Sequence, residues 1–313
     1  MSENNVSENN VSKNNGLENT AEYQTGAPTT KPNILLQLVK GFLYFCLFLF
    51  SQYVITFILM MYYGAAKVAE DAANDVPFDT AALTDYMETR LYENINLLFI
   101  LYVSLFVIIL ILFFAIRKKS FWKETRMVAF PVKYIPGILV LSAGLFFFIN
   151  SVLNLMPQSW LADYSESSSF IAEGSLLLSL FTKGLLAPIS EELTFRGLML
   201  SRFNKAMPKW LGILISSVVF GLIHGQALWF CYALLIGVVF CLVAIRTGSI
   251  LSSMMLHILF NIGGVLLSYT DIPITLPLLV TALILGAALT GIGLFLIYRK
   301  DDTLGQASQA SLF

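Results

Sequence analysis

Ile95-Asn96-Leu97-Leu98-Phe99-Ile100-Leu101-Tyr102-Val103-Ser104-Leu105-Phe106-Val107-Ile108-Ile109-Leu110-Ile111-Leu112-Phe113-Phe114-Ala115-Ile116 carries no charged side chain and ends at Arg117. A helix needs ~20 apolar residues to cross ~30 Å of hydrocarbon, and this run supplies them. Seven other runs repeat the pattern, which predicts an all-α fold: a polytopic membrane helix bundle of about eight transmembrane helices. Together the eight cover 34–62, 95–116, 134–155, 174–200, 210–224, 227–245, 250–269 and 276–298. The fifth is short and its junction with the sixth, at His224-Gly225-Gln226, is tight, so a re-entrant segment would reduce the count to seven.

Composition leads to the same class. The 313 residues are 57% hydrophobic and 12% charged, against about a quarter charged in a soluble domain. A net charge of −1 excludes a nucleic-acid binder that depends on bulk positive charge. Cys46, Cys231 and Cys241 all fall in apolar runs and read as small hydrophobes, with no Cys-x-x-Cys pair.

Three regions follow. Residues 1–32 open on an Asn-rich repeat, Ser2-Glu3-Asn4-Asn5-Val6 then Ser7-Glu8-Asn9-Asn10-Val11, too polar to build a core and expected to be a disordered cytoplasmic tail. Residues 33–300 form the transmembrane helical domain, and 301–313 a cytoplasmic tail. Lysines and arginines crowd the 117–133 stretch and recur at Arg202, Lys205, Lys209, Arg246, Arg299 and Lys300, whereas the 64–94 loop is acidic. With eight spans all the basic stretches share one side, so both termini are expected in the cytoplasm of an integral protein of the cell membrane. The 64–94 loop has room for a short surface helix, and nothing in it suggests chemistry.

Against this apolar background a few polar residues stand out, because ionisable groups in hydrocarbon are costly. Glu191-Glu192-Leu193-Thr194-Phe195-Arg196 lies in the fourth run, and the only two histidines, His224 and His257, lie in the fifth and seventh. Glu192 and Arg196 are i,i+4 with the acid first, the favoured order for a pair on one helix face. Glu191 points about 100° away and has no partner at i+4, which suits a general base. Pro188, one turn earlier, frees backbone groups. His257 and Asn261 share a helix face and offer two donors to a developing oxyanion. At ~1.5 Å per residue, these groups fall in one middle layer of the membrane. Lys183, nearer the outer end, is expected to snorkel to the interface.

Glu191-Glu192-x-x-x-Arg196, Phe220-x-x-x-His224 and His257-x-x-x-Asn261, in this order on successive spans, resemble the CAAX protease and bacteriocin-processing (CPBP, or Abi) family of intramembrane endopeptidases. The likeness covers roughly residues 174–267, the motif core. It implies Glu191 as the base activating water with His224 sharing that task, His257 and Asn261 stabilising the oxyanion, and Glu192, Arg196 and Phe220 supporting the site. It also implies a site open to the cytosolic side and a membrane-associated protein or peptide as substrate.

Glu191, His224 and His257 are candidates for a His₂Glu zinc set with an open water position. No His-Glu-x-x-His occurs, and a carboxylate with a histidine also activates water unaided, so no cofactor is fixed and zinc stays open. Two other classes remain on these residues: a proton-coupled transporter, since buried Glu and His also build proton relays, and a non-catalytic membrane scaffold or immunity factor. Membrane lipid is a partner in every case.

Overall fold

A computed structural model describes residues 33–299. The tails assigned to 1–32 and 301–313 lie outside the described residues. All eight apolar runs are helical, and no strand occurs among the described residues. The protein is an all-α, polytopic integral membrane bundle.

The first helix, α1 (Ile34–Ala73), starts at Asn33, whose side chain accepts from the Leu36 N–H. It runs past the apolar stretch into polar sequence, and α2 (Thr80–Glu93), capped by Asp79, folds back against it. The acidic loop thus holds a short surface helix, α2, together with the extended end of α1. α3 (Ile95–Ile116) and α4 (Ile135–Asn154) follow, joined by the basic stretch. Arg202 Nη2 donates to Glu124 Oε2 at 2.7 Å, tying that stretch to the end of a later helix.

The fourth run differs from a plain span. α5 (Gln158–Ser168) and its 3₁₀ continuation meet α6 (Leu176–Ala206) at a 105° bend. Within α6, wide π-turns over Leu180–Leu186 and Leu193–Leu200 bracket an ordinary α segment, Ala187–Glu192, that holds both glutamates. π-turns inside α-helices frequently mark functional sites. α7 (Lys209–Leu222) has 14 residues, about 21 Å of rise, short of a bilayer. It stops at Gly225, whose φ of +72° suits glycine. Gln226 then caps α8 (Ala227–Thr247) by accepting from the Trp229 N–H. α9 (Ile250–Ser268) and α10 (Leu276–Tyr298) complete the chain. Six helices are long and apolar enough to cross alone, and the bent α5–α6 pair makes seven. The remaining run, the fifth, is α7, apolar but too short to cross alone.

α10 packs along α4 with glycines in the seam. A Cβ on Gly293 would lie 2.6 Å from the Leu141 N, and one on Gly286 would run into Phe148 backbone and the Gly144 carbonyl. Small residues at such seams let membrane helices approach closely. Gly286→Leu is accordingly expected to lower the thermal midpoint in detergent, by an overpacking cost of about 1–3 kcal/mol; unchanged melting would show that α10 does not need this seam.

Candidate active site

Glu192 sits at the centre of the site and is fully buried. Its Oε1 accepts from Arg196 Nη1 at 2.8 Å and from His257 Nδ1 at 3.0 Å, and its Oε2 accepts from Ser253 Oγ at 2.6 Å. A carboxylate can only accept, so Nδ1 of His257 holds the proton. That fixes the tautomer and turns Nε2 toward Glu191, whose Oε2 lies 3.6 Å away. The adjacent glutamates thus flank one imidazole from two edges, and Glu191 is not the partnerless carboxylate its helix alone suggests. Glu191 keeps a little exposure, 14% of its side chain, where Glu192 has none.

Arg196 is buried with no exposure. Besides Glu192 it reaches the Gly237 carbonyl through Nη2 at 3.3 Å, and its guanidinium lies over the rings of Phe220 at 4.2 Å and Phe240 at 5.1 Å. Phe220 and Phe240 also pack on His257, with ring centres 5.8 and 4.7 Å away. Phe220 therefore touches Arg196, His224 and His257 together, which is the physical sense of a phenylalanine one turn before His224. Gly237 lets α8 come this close, since a Cβ there would press on Phe220, Ser217 and Arg196.

His224 ends α7 at the turn. Its Nδ1 donates to the Phe220 carbonyl at 2.9 Å, because a carbonyl cannot donate, and Nε2 is left as an acceptor. Its ring is 5.1 Å from that of Trp229. Glu191, His224, His257 and Asn261 all line one cavity of about 700 Å³, together with Tyr102, Lys183 and Trp229. Glu191, His224, His257 and Asn261 therefore meet in one space, with Phe220 on the same wall and Glu192 and Arg196 behind it.

Asn261 also serves the backbone of α6. Pro188 has no N–H to return to the Lys183 carbonyl five residues earlier, the partner that the wide turn would otherwise give it. Asn261 Nδ2 donates to that carbonyl at 3.1 Å and keeps one N–H for the cavity. Asn261→Ala leaves a carbonyl unsatisfied at a cost of about 1–3 kcal/mol. It is expected to melt earlier as well as to impair the site, whereas a purely catalytic amide would leave melting untouched.

Lys183 does not snorkel. It is 4% exposed, and its ammonium donates to the carbonyls of Ile171 and Glu173 and to Ser179 Oγ. The bend before α6 folds those carbonyls over the helix, so the acceptors are inside. Ser253 escaped the sequence reading, although it lies four residues before His257 on the same face of α9, where a donor to Glu192 belongs.

The zinc set does not form. Among the described residues no group of three or more His, Cys, Asp or Glu is placed to hold one ion. Glu191, His224 and His257 thus share a cavity wall without converging as ligands.

Fold and site thus define an integral membrane protein with a buried glutamate–histidine cluster opening on an internal cavity. Comparison with known proteins is more particular. Residues 173–263 match the family model described as "Type II CAAX prenyl endopeptidase Rce1-like", the family group that the three motifs resemble. An uncharacterised 24.3 kDa protein of Escherichia coli is 37% identical over 87 residues, covering 26% of this chain and 40% of that protein. The chain thus spans less than half the length of this relative. No solved structure matches.

Proposed function

We propose that the protein is an intramembrane endopeptidase that hydrolyses a peptide bond of a membrane-associated protein or peptide. The observation that carries the reading is the Glu191–His257–Glu192 array on the wall of a cavity that also receives His224. The family match over this same segment supports it.

In this reading Glu191 takes a proton from a water lodged between it and His224 Nε2. The hydroxide adds to the scissile carbonyl, and the tetrahedral oxyanion accepts the remaining Asn261 N–H. His257 adds a second donor when Nε2 also carries a proton, with Glu192 opposite holding the ring in place. Glu191 then returns its proton to the leaving amine, and the C–N bond breaks. Each step uses a side chain of this chain and no metal ligand set is invoked. Maturation of a peptide and self-immunity against one would use the same chemistry.

The test is direct. Purified protein in lipid vesicles is offered membrane-associated peptides beside a Glu191→Ala variant. Cleavage by the first alone is expected; equal cleavage by both removes the assignment and leaves a transporter or scaffold as the better reading.

A further inference from the structure

The basic stretch between α3 and α4 and the end of α6 meet in a cluster of positive charge. Residues 117–133 and 201–210 contain a single acid, Glu124. Both of its oxygens are taken, Oε1 by Lys119 Nζ at 2.9 Å and Oε2 by Arg202 Nη2 at 2.7 Å. Lys205 lies in the field of Arg202, Arg126 and Lys119 together, and Arg126 in that of Arg202. Four cations thus gather around one carboxylate. Like charges held this close repel one another, so an anion placed among them would be drawn in.

The fold holds these cations in place. Arg202 is buried beside the Tyr44 ring, and its Nε–H, buried as well, has no partner among the described residues. Arg126 stands in the left-handed region, with φ +61°, a conformation strained for a long side chain and often found at binding sites. Its carbonyl accepts from the Ile250 N–H at 3.1 Å, and the Ser249 hydroxyl donates to the Val128 carbonyl. The loop is thereby pinned to the α8–α9 turn. The Thr125 carbonyl rests on α6 at Gly197, where a Cβ would come within 2.6 Å of it.

The surroundings are those of a membrane interface. Trp122 and Trp210, next in sequence to Lys123 and Lys209, are both exposed, and tryptophans of this kind sit at headgroup level. Phe42 of α1, exposed on its outer side, packs on Phe203, the neighbour of Arg202. An apolar chain hanging below the cluster would find that surface beside it.

We infer that Lys119, Arg126, Arg202 and Lys205 bind the phosphate of an anionic lipid headgroup, with its acyl chains along the apolar face of α1. A soluble phosphate offers the same oxygens; the flanking tryptophans and Phe42 favour the lipid. The inference is independent of the endopeptidase reading. A phosphate bound here would tie the 117–133 stretch to α6, the helix that carries Glu191 and Glu192.

The test uses purified full-length protein in a neutral detergent at fixed ionic strength. It is titrated with phosphatidylglycerol, with phosphatidylcholine of the same chains, or with inorganic phosphate, and binding and thermal midpoint are followed. Phosphatidylglycerol is expected to bind and to raise the midpoint at concentrations where phosphatidylcholine does neither. Equal behaviour of the two lipids overturns the inference. Inorganic phosphate matching phosphatidylglycerol refutes the lipid and leaves a soluble-phosphate site. Arg126→Gly/Lys205→Gln is expected to weaken phosphatidylglycerol binding about thirtyfold. Lys118→Gln/Lys123→Gln, which removes two charges from outside the cluster, is expected to weaken it far less. Equal losses in the two pairs would mean diffuse surface charge only, and no site. Glycine adopts the Arg126 conformation freely, so the first pair should melt no earlier than wild type when lipid-free. Should it fail to fold, Lys205→Gln alone, at an exposed position, repeats the titration.

Discussion

Glu191→Gln is expected to slow peptide hydrolysis by a factor of about 10²–10⁴ while leaving the protein folded. The amide has the shape of the carboxylate and can still meet His257 Nε2, which lies 3.6 Å from Glu191 Oε2. What it loses is the ability to take a proton from water, so the loss should fall on the chemical step and spare substrate capture. Single-turnover cleavage in vesicles separates the two, and thermal melting in detergent checks the fold. Glu191→Asp, with its carboxylate drawn back by one methylene, should fall between wild type and Gln. If Gln cleaves nearly as fast as wild type, Glu191 is not the base. The same substitution at Glu192 would act differently, because Glu192 has no exposure and its oxygens serve Arg196, His257 and Ser253.

The contrast between those neighbours shows what sequence can carry. The Glu192–Arg196 pair was legible because both residues lie on one helix, where i,i+4 spacing alone brings them together. The spans were legible because uninterrupted apolar runs have few other uses. The contact of Glu191 with His257 was not, since it joins residues far apart in the chain across two helices, and a single helix shows only that Glu191 faces away from Arg196. The wide turns around Ala187–Glu192 left no mark beyond Pro188, and their consequence, an Asn261 amide serving the Lys183 carbonyl, needed α9 in place. Lys183 was misjudged for a related reason. Snorkelling assumes a straight helix beside lipid, and the 105° bend puts carbonyls where lipid was assumed. The zinc candidates failed on convergence, which motif order cannot supply. Ser253 could have been found, because it shares the face of His257 on α9.

Arg196→Met should produce the largest loss of stability of any single change in the site. Arg196 and Glu192 are both wholly buried, and removing one partner of such a pair leaves an uncompensated charge, at about 3–5 kcal/mol. The guanidinium also holds the Gly237 carbonyl and lies over Phe220 and Phe240, so its removal loosens α8 against α7. A sharply lowered melting transition in detergent is the expected reading; melting with the wild type would mean that Ser253 and His257 alone satisfy Glu192. The paired variant Glu192→Gln/Arg196→Met removes both charges, and replacing a buried ion pair outright is often close to neutral. It should recover most of the stability. It should not recover the activity, because an amide can accept from His257 Nδ1–H or donate to a bare Nδ1, so it no longer enforces the tautomer that the carboxylate fixes. Folded but inactive double-variant protein would separate the two roles of Glu192, as counter-charge to the guanidinium and as the support of the imidazole.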